Sequence, residues 1–220
     1  MRNFLKNKHY IPNNLFSNTK SFFILILLFI LFFIVTANSY ASNISEGLSN
    51  NIFRLHILAN SDEDYDQELK LKVRDEIIKY METLTTDVND KASVIQISNE
   101  HISDFKNIAK QVIEENGYNY DINVEIGNFY FPTKYYGNIS LPAGNYDALR
   151  INIGKAEGQN WWCSLFPPLC FVNISSGVID EEGTEYLKEN LSEEEFAIVS
   201  SNNSDIEFKF KIIEFLNKKS

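Results

Sequence analysis

The sequence predicts an α+β domain, with two long helices packed on a mostly antiparallel sheet, behind an N-terminal signal or anchor segment. Three observations carry this. An unbroken apolar run occupies Phe22–Val35. Two later stretches, over 66–84 and 101–116, repeat apolar residues every three or four positions, as one-sided helices do. From Tyr120 the apolar period shortens to two, which is the period of a strand. Helices followed by a run of strands indicate an α+β fold.

The N-terminal segment is read first. Met1 to Lys20 carries Arg2, Lys6, Lys8 and Lys20 and no carboxylate. The apolar run follows, then small and polar residues ending in Ser39-Tyr40-Ala41. A basic start, an apolar middle and a small-x-small site describe a signal peptide. The run is shorter than the roughly 20 apolar residues of a usual spanning helix. Cleavage after Ala41 is therefore the preferred reading, and an uncleaved membrane anchor is its rival. In both readings the positive flank stays in the cytoplasm and the remainder is exported. The chain divides on this reading into 1–41, a folded domain over 42–178, and an acidic, helical extension over 179–220.

Charge then excludes partners. The chain has 20 Lys and Arg against 30 Asp and Glu, a net charge of −10. Residues 1–41 hold four of the basic residues and none of the acids, so the exported part is still more acidic, near −14. Such a surface repels phosphate backbones and anionic headgroups. Nucleic acid is excluded as a partner, and membrane contact is confined to the N-terminal segment.

Within the domain, Ile52 to Leu58 reads as a strand ended by Ala59-Asn60-Ser61-Asp62. Ser61, with Asp64 three residues on, resembles a helix-capping signal. The first long helix places Leu69, Val73, Ile77, Tyr80, Met81 and Leu84 on one face. Ala92–Ile97 reads as a short helix. The second long helix carries Ile102, Phe105, Ala109, Val112 and Ile113, and Gly117 stands where a left-handed cap belongs. Tyr120 to Ile126 reads as a strand, Phe129 and Phe131 begin another, and Pro132 stops it. After the turn at Leu141-Pro142-Ala143-Gly144, Tyr146–Ile153 is a strand with Leu149, Ile151 and Ile153 on one face and Ala148 and Arg150 on the other. The segment from Gly158 to Phe171 is irregular, because Pro167-Pro168 excludes helix and central strand. Asp180 to Glu195 reads as short helices, and 208–216 as a terminal helix.

The search for chemistry returns few candidates. Asp62 to Asp66 opens like a calcium loop, but Gln67 and Val73 stand where that loop needs Gly and Glu. No metal and no cofactor are expected. Arg54, His56 and Arg150 fall on predicted strands and could form a polar cluster, read here as a buried structural one rather than a catalytic one. No HExxH, G-x-S-x-G or aspartic-protease motif is present. Cys163 and Cys170 read first as a disulfide, with two buried thiols as the alternative. Trp161, Trp162, Phe166 and Phe171 cluster beside them, either as core or as a partner-binding surface.

Taken together, these segments resemble the stage II sporulation protein R family. The likeness rests on Phe53-Arg54-Leu55-His56-Ile57-Leu58-Ala59-Asn60-Ser61-Asp62, on Leu69 to Asp75, and on Phe131 to Gly137 with Leu141 to Arg150. It is most specific in Gly158-Gln159-Asn160-Trp161-Trp162-Cys163-Ser164-Leu165-Phe166-Pro167-Pro168-Leu169-Cys170-Phe171. The resemblance implies a non-enzymatic signal, made in the forespore and exported into the space between forespore and mother cell. Its partner there would be a membrane-embedded aspartic protease that processes the mother-cell sigma-factor precursor. It carries over no contact residues. Competing readings are an exported hydrolase built on His56, Arg54 and a carboxylate, and a cell-wall or small-ligand-binding domain using Trp161 and Trp162.

Overall fold

The computed structural model describes residues 14–136, 139–168 and 181–200. Helix α1 spans Asn14–Asn51, and its Thr19–Ala37 stretch is long and apolar enough to cross a membrane. About 19 residues at 1.5 Å each approach the thickness of a bilayer's hydrocarbon core. Every side chain from Phe22 to Val35 is exposed. An apolar helix of this kind is consistent with the expected signal or anchor segment. The chain forms two compact units, Met1–Ser42 and Asn43–Ser220.

The second unit is α+β. After β1 (Phe53–Leu58) come α2 (Asp64–Thr85), α3 (Lys91–Glu100) and α4 (Ile102–Glu115). They are followed by β2 (Ile122–Phe131), β3 (Lys134–Tyr136), β4 (Ile139–Leu141), β5 (Gly144–Ile153) and β6 (Asn160–Phe166). Helices α5 (Glu181–Asn190) and α6 (Glu193–Ser200) complete the described elements. The main sheet has the order β2-β5-β1-β6, and β3-β4 form a separate hairpin. The outer pairs are antiparallel and the central β5-β1 pair is parallel, so the sheet is mostly antiparallel as expected.

Alternation along the strands divides the core in two. Phe53, Leu55 and Ile57 of β1 and Leu149, Ile151 and Ile153 of β5 face the helices. There they meet Leu69, Val73, Ile77 and Met81 of α2, and Phe105, Ala109, Val112 and Ile113 of α4. A second cluster joins Ile44 and Leu48 from the end of α1, Ile52, Phe131, Tyr146, Ala148, and Leu187, Leu191 and Val199 from α5 and α6. Lys91 ties the end of α1 down, donating to the Ser49 carbonyl and to Asp147, each at 2.6 Å. Helix α4 ends in a Schellman motif: Gly117 has φ +82° and donates to Glu114 O, while Tyr118 donates to Ile113 O.

Three sequence expectations change. The two strands expected over 120–131 are one, β2, whose pairing with β5 runs unbroken from Ile122 to Phe131. The irregular stretch contains a real strand, β6, that ends immediately before Pro167; the prolines terminate it and do not prevent it. Ser61 does not cap α2. The cap position is Glu63, with no side-chain bond, and Ser61 Oγ donates to the buried Asp66 carboxylate at 2.6 Å. Cys170, Phe171 and the helix expected over 208–216 lie outside the described residues.

Candidate functional site

The sheet face away from α2 and α4 collects the polar residues singled out in the sequence. Register lines up Glu125, Arg150, His56 and Trp162 in one row across β2, β5, β1 and β6. The neighbouring row is Gly127, Ala148, Arg54 and Ser164. Arg54, His56 and Arg150 thus share a face, because residues two apart on a strand point the same way.

Arg54 is fully buried. Its guanidinium lies 4.3 Å from the ring centre of Phe131 and 5.1 Å from that of Tyr146. Nη2 donates to the Tyr136 hydroxyl at 2.6 Å and Nε to the Cys163 carbonyl at 3.3 Å. Among the described residues no carboxylate pairs with it and Nη1 has no partner. An aromatic box therefore replaces the counter-ion, using ring faces and one phenol to stabilise the charge. Burial outweighs the pull of Arg54 and pushes the Tyr136 and Tyr146 hydroxyls above their ordinary range.

His56 is sandwiched by chemistry of a different kind. Its Nε2 lies 2.7 Å from Asn160 Oδ1, so Nε2 carries the proton and Nδ1 is left as the acceptor. Burial lowers its pKa to about 4, the Asn160 bond opposes this, and the Arg150 and Arg54 charges add to the lowering. The ring is neutral at physiological pH. Nδ1 has no partner among the described residues. A general base would need a carboxylate to orient it and a pKa near the working pH; this imidazole has an amide neighbour and a much lower pKa. Arg150 lies over Phe129 at 5.0 Å, and its one ion-pair partner among the described residues, Glu125, is 3.9 Å away.

The aromatic residues expected to act together are separated. Trp161 and Trp162 point to opposite faces of β6. Trp161 packs with the helix-side core under the Arg74 guanidinium, 4.4 Å from its ring centre. Trp162 stacks on His56 and contacts Phe131 edge to face. Phe166 is buried against Tyr186. Sequence reasoning missed Phe131, Tyr136, Tyr146 and Asn160 as members of the site. Tyr146 shares strand parity with Ala148 and Arg150, a signal present in the sequence; Tyr136 and Asn160 arrive by tertiary packing alone. Among the described residues, no group of His, Cys, Asp and Glu converges to hold a metal.

This domain, from the end of α1 through β6, coincides with a recognised sequence family. The profile of stage II sporulation protein R matches residues 49–176, more than half of the chain. The chain belongs to the stage II sporulation protein R family. Stage II sporulation protein R of Bacillus subtilis (strain 168) is 41% identical over 143 residues, 64% of each chain. The match thus spans less than two thirds of that relative's length. No solved structure matches. The matched segment contains every member of the Arg54–His56–Arg150 face and both tryptophans, so the polar face belongs to the family's own domain and not to the acidic extension.

Proposed function

We propose that this chain is an exported signalling protein of sporulation, made in the forespore and delivered to the intermembrane space. There it binds and activates the membrane-embedded aspartic protease that processes the mother-cell sigma-factor precursor. It acts as ligand and not as enzyme. The observation that carries this reading is membership of the stage II sporulation protein R family across the folded domain, preceded by a helix apolar enough for export. Two features of the site support the non-enzymatic part. His56 is held neutral, stacked on an indole and hydrogen-bonded at its edge to an amide, without an acidic partner among the described residues to orient it. Arg54 is spent internally on aromatic rings and a carbonyl.

The Cys163–Cys170 disulfide belongs to the same proposal. Cys163 is buried in β6 opposite Leu55, in a compartment that favours oxidation. The test of the function is reconstitution. Co-expression of the full chain with the protease and the sigma-factor precursor should yield the processed factor. A version lacking residues 1–41, kept in the cytoplasm, should not. Processing that proceeds without this chain, or equally well with the cytoplasmic version, would overturn the reading.

A further inference from the structure

Strand β2 is an outer strand of the sheet, ten residues long, and it pairs with β5 from Ile122 to Phe131 without a register break. Outer strands are ordinarily blunted by short length, bulges, proline or lysine, because their free N–H and C=O groups invite another strand. The sequence Ile122-Asn123-Val124-Glu125-Ile126-Gly127-Asn128-Phe129-Tyr130-Phe131 uses none of these devices. Its one charge is Glu125.

The direction of the backbone groups follows from one bond. Gly154 N–H donates to Asp121 O at 2.8 Å, in the same register as the β2-β5 ladder. Antiparallel alternation then commits Asn123, Glu125 and Gly127 to β5, and turns the N–H and C=O of Ile122, Val124, Ile126 and Asn128 outward. Among the described residues nothing bonds these four outward pairs. Glu125 stands on the same edge, 43% exposed, with Arg150 only at the limit of ion pairing, 3.9 Å away. An acidic side chain beside four backbone pairs left unbonded among the described residues, in a chain of net charge −10, selects a basic strand.

We propose that β2 is the docking edge of this domain and receives an extended strand of the partner protein, which carries Lys or Arg beside Glu125. Main-chain bonds to Ile122, Val124, Ile126 and Asn128 supply the affinity, and the Glu125 pair fixes the register. The proposal rests on the reading of the chain as a ligand for the protease, and its test separates the two.

The experiment is residue-resolved hydrogen exchange of the full chain in detergent, alone and with the detergent-solubilised protease. In the free chain the amides of Ile122, Val124, Ile126 and Asn128 should exchange faster than those of Asn123, Glu125 and Gly127. Adding the protease should slow the outward set by about tenfold or more. Asn128→Pro deletes one outward donor, and Glu125→Lys reverses the edge charge. Because Asn128→Pro also removes the Asn128–Asp147 bond and Glu125→Lys the Arg150 ion pair, each variant is tested at a temperature where its own melting curve shows it folded. There each should weaken the complex by about tenfold, while Lys110→Glu on α4 should not. Outward amides already protected in the free chain at high dilution would mean that the chain covers its own edge. Protection that grows with concentration of this chain alone would mean a second copy. A protease complex that leaves β2 exchange unchanged, or full affinity in Glu125→Lys, would equally overturn the docking edge while leaving the signalling role intact. Absence of any complex overturns both.

Discussion

The imidazole of His56 lies flat on the indole of Trp162, ring centroids 3.7 Å apart and planes 16° from parallel. The stack joins β1 to β6 on the sheet face that also holds Arg54 and Arg150. It keeps water from the imidazole on one side, while Phe131 meets it edge to face. Burial is why the ring resists protonation, and it makes the stability of the domain depend on pH.

The pH dependence has a definite sign. His56 titrates near 4 when folded and near its ordinary 6.5 when unfolded. Between those values the unfolded chain binds the extra proton, so stability falls as pH drops from 6.5 to 4 and the loss levels off below 4. The full difference is about 3 kcal/mol. Urea unfolding of the wild type and of His56→Gln across this range should give curves that converge toward acid. Parallel curves would show that His56 is not a source of the pH dependence.

The tryptophans should respond differently to removal. Truncating Trp162 opens the His56 stack, so in Trp162→Ala the His56 pKa should rise from about 4 toward 6.5, read by the ring-proton shifts in NMR. Trp161→Ala removes the Arg74 contact on the other face and should leave that titration in place. Each truncation should also lower stability by about 3 kcal/mol. Equal His56 titrations in the two variants would contradict the opposite-face arrangement.

Arg54 should depend on its phenol. Tyr136→Phe deletes the 2.6 Å acceptor and leaves a buried guanidinium with Nη1 and Nη2 both unbonded among the described residues. The expected cost is about 1–3 kcal/mol in chemical denaturation. Arg54→Met, which removes charge and partner need together, should cost less than Arg54→Ala, which leaves a cavity as well. If Tyr136→Phe is as stable as wild type, the box does not depend on that bond.

The cysteines should be oxidised in exported material. Mass spectrometry of non-reduced protein should find Cys163 linked to Cys170. In the chain-entropy account a loop this short contributes about 2.5 kcal/mol, so Cys170→Ser should lower the melting temperature and reducing agent should do the same to the wild type. Two free thiols in protein taken from the exported space would end the proposal.

Periodicity alone determined a good part of this molecule. The spacing of Leu69, Val73, Ile77 and Met81 and of Phe105, Ala109, Val112 and Ile113 requires two helices with one buried face each, and both bury that face. Alternation likewise put Leu149 and Ile151 opposite Ala148 and Arg150, because strand geometry allows nothing else. Gly117 marked its helix end because few other residues accept a left-handed backbone. What the sequence could not supply was which strands are neighbours. The parallel pairing of β1 with β5 and the antiparallel pairing with β6 set His56 between Arg150 and Trp162, residues roughly a hundred positions away in the chain. That choice separates Trp161 from Trp162, gives Arg54 an aromatic box in place of an acid, and leaves β2 at the edge. Such outcomes depend on long-range packing that closes loops of very different lengths, and local propensity carries no information about which closure wins.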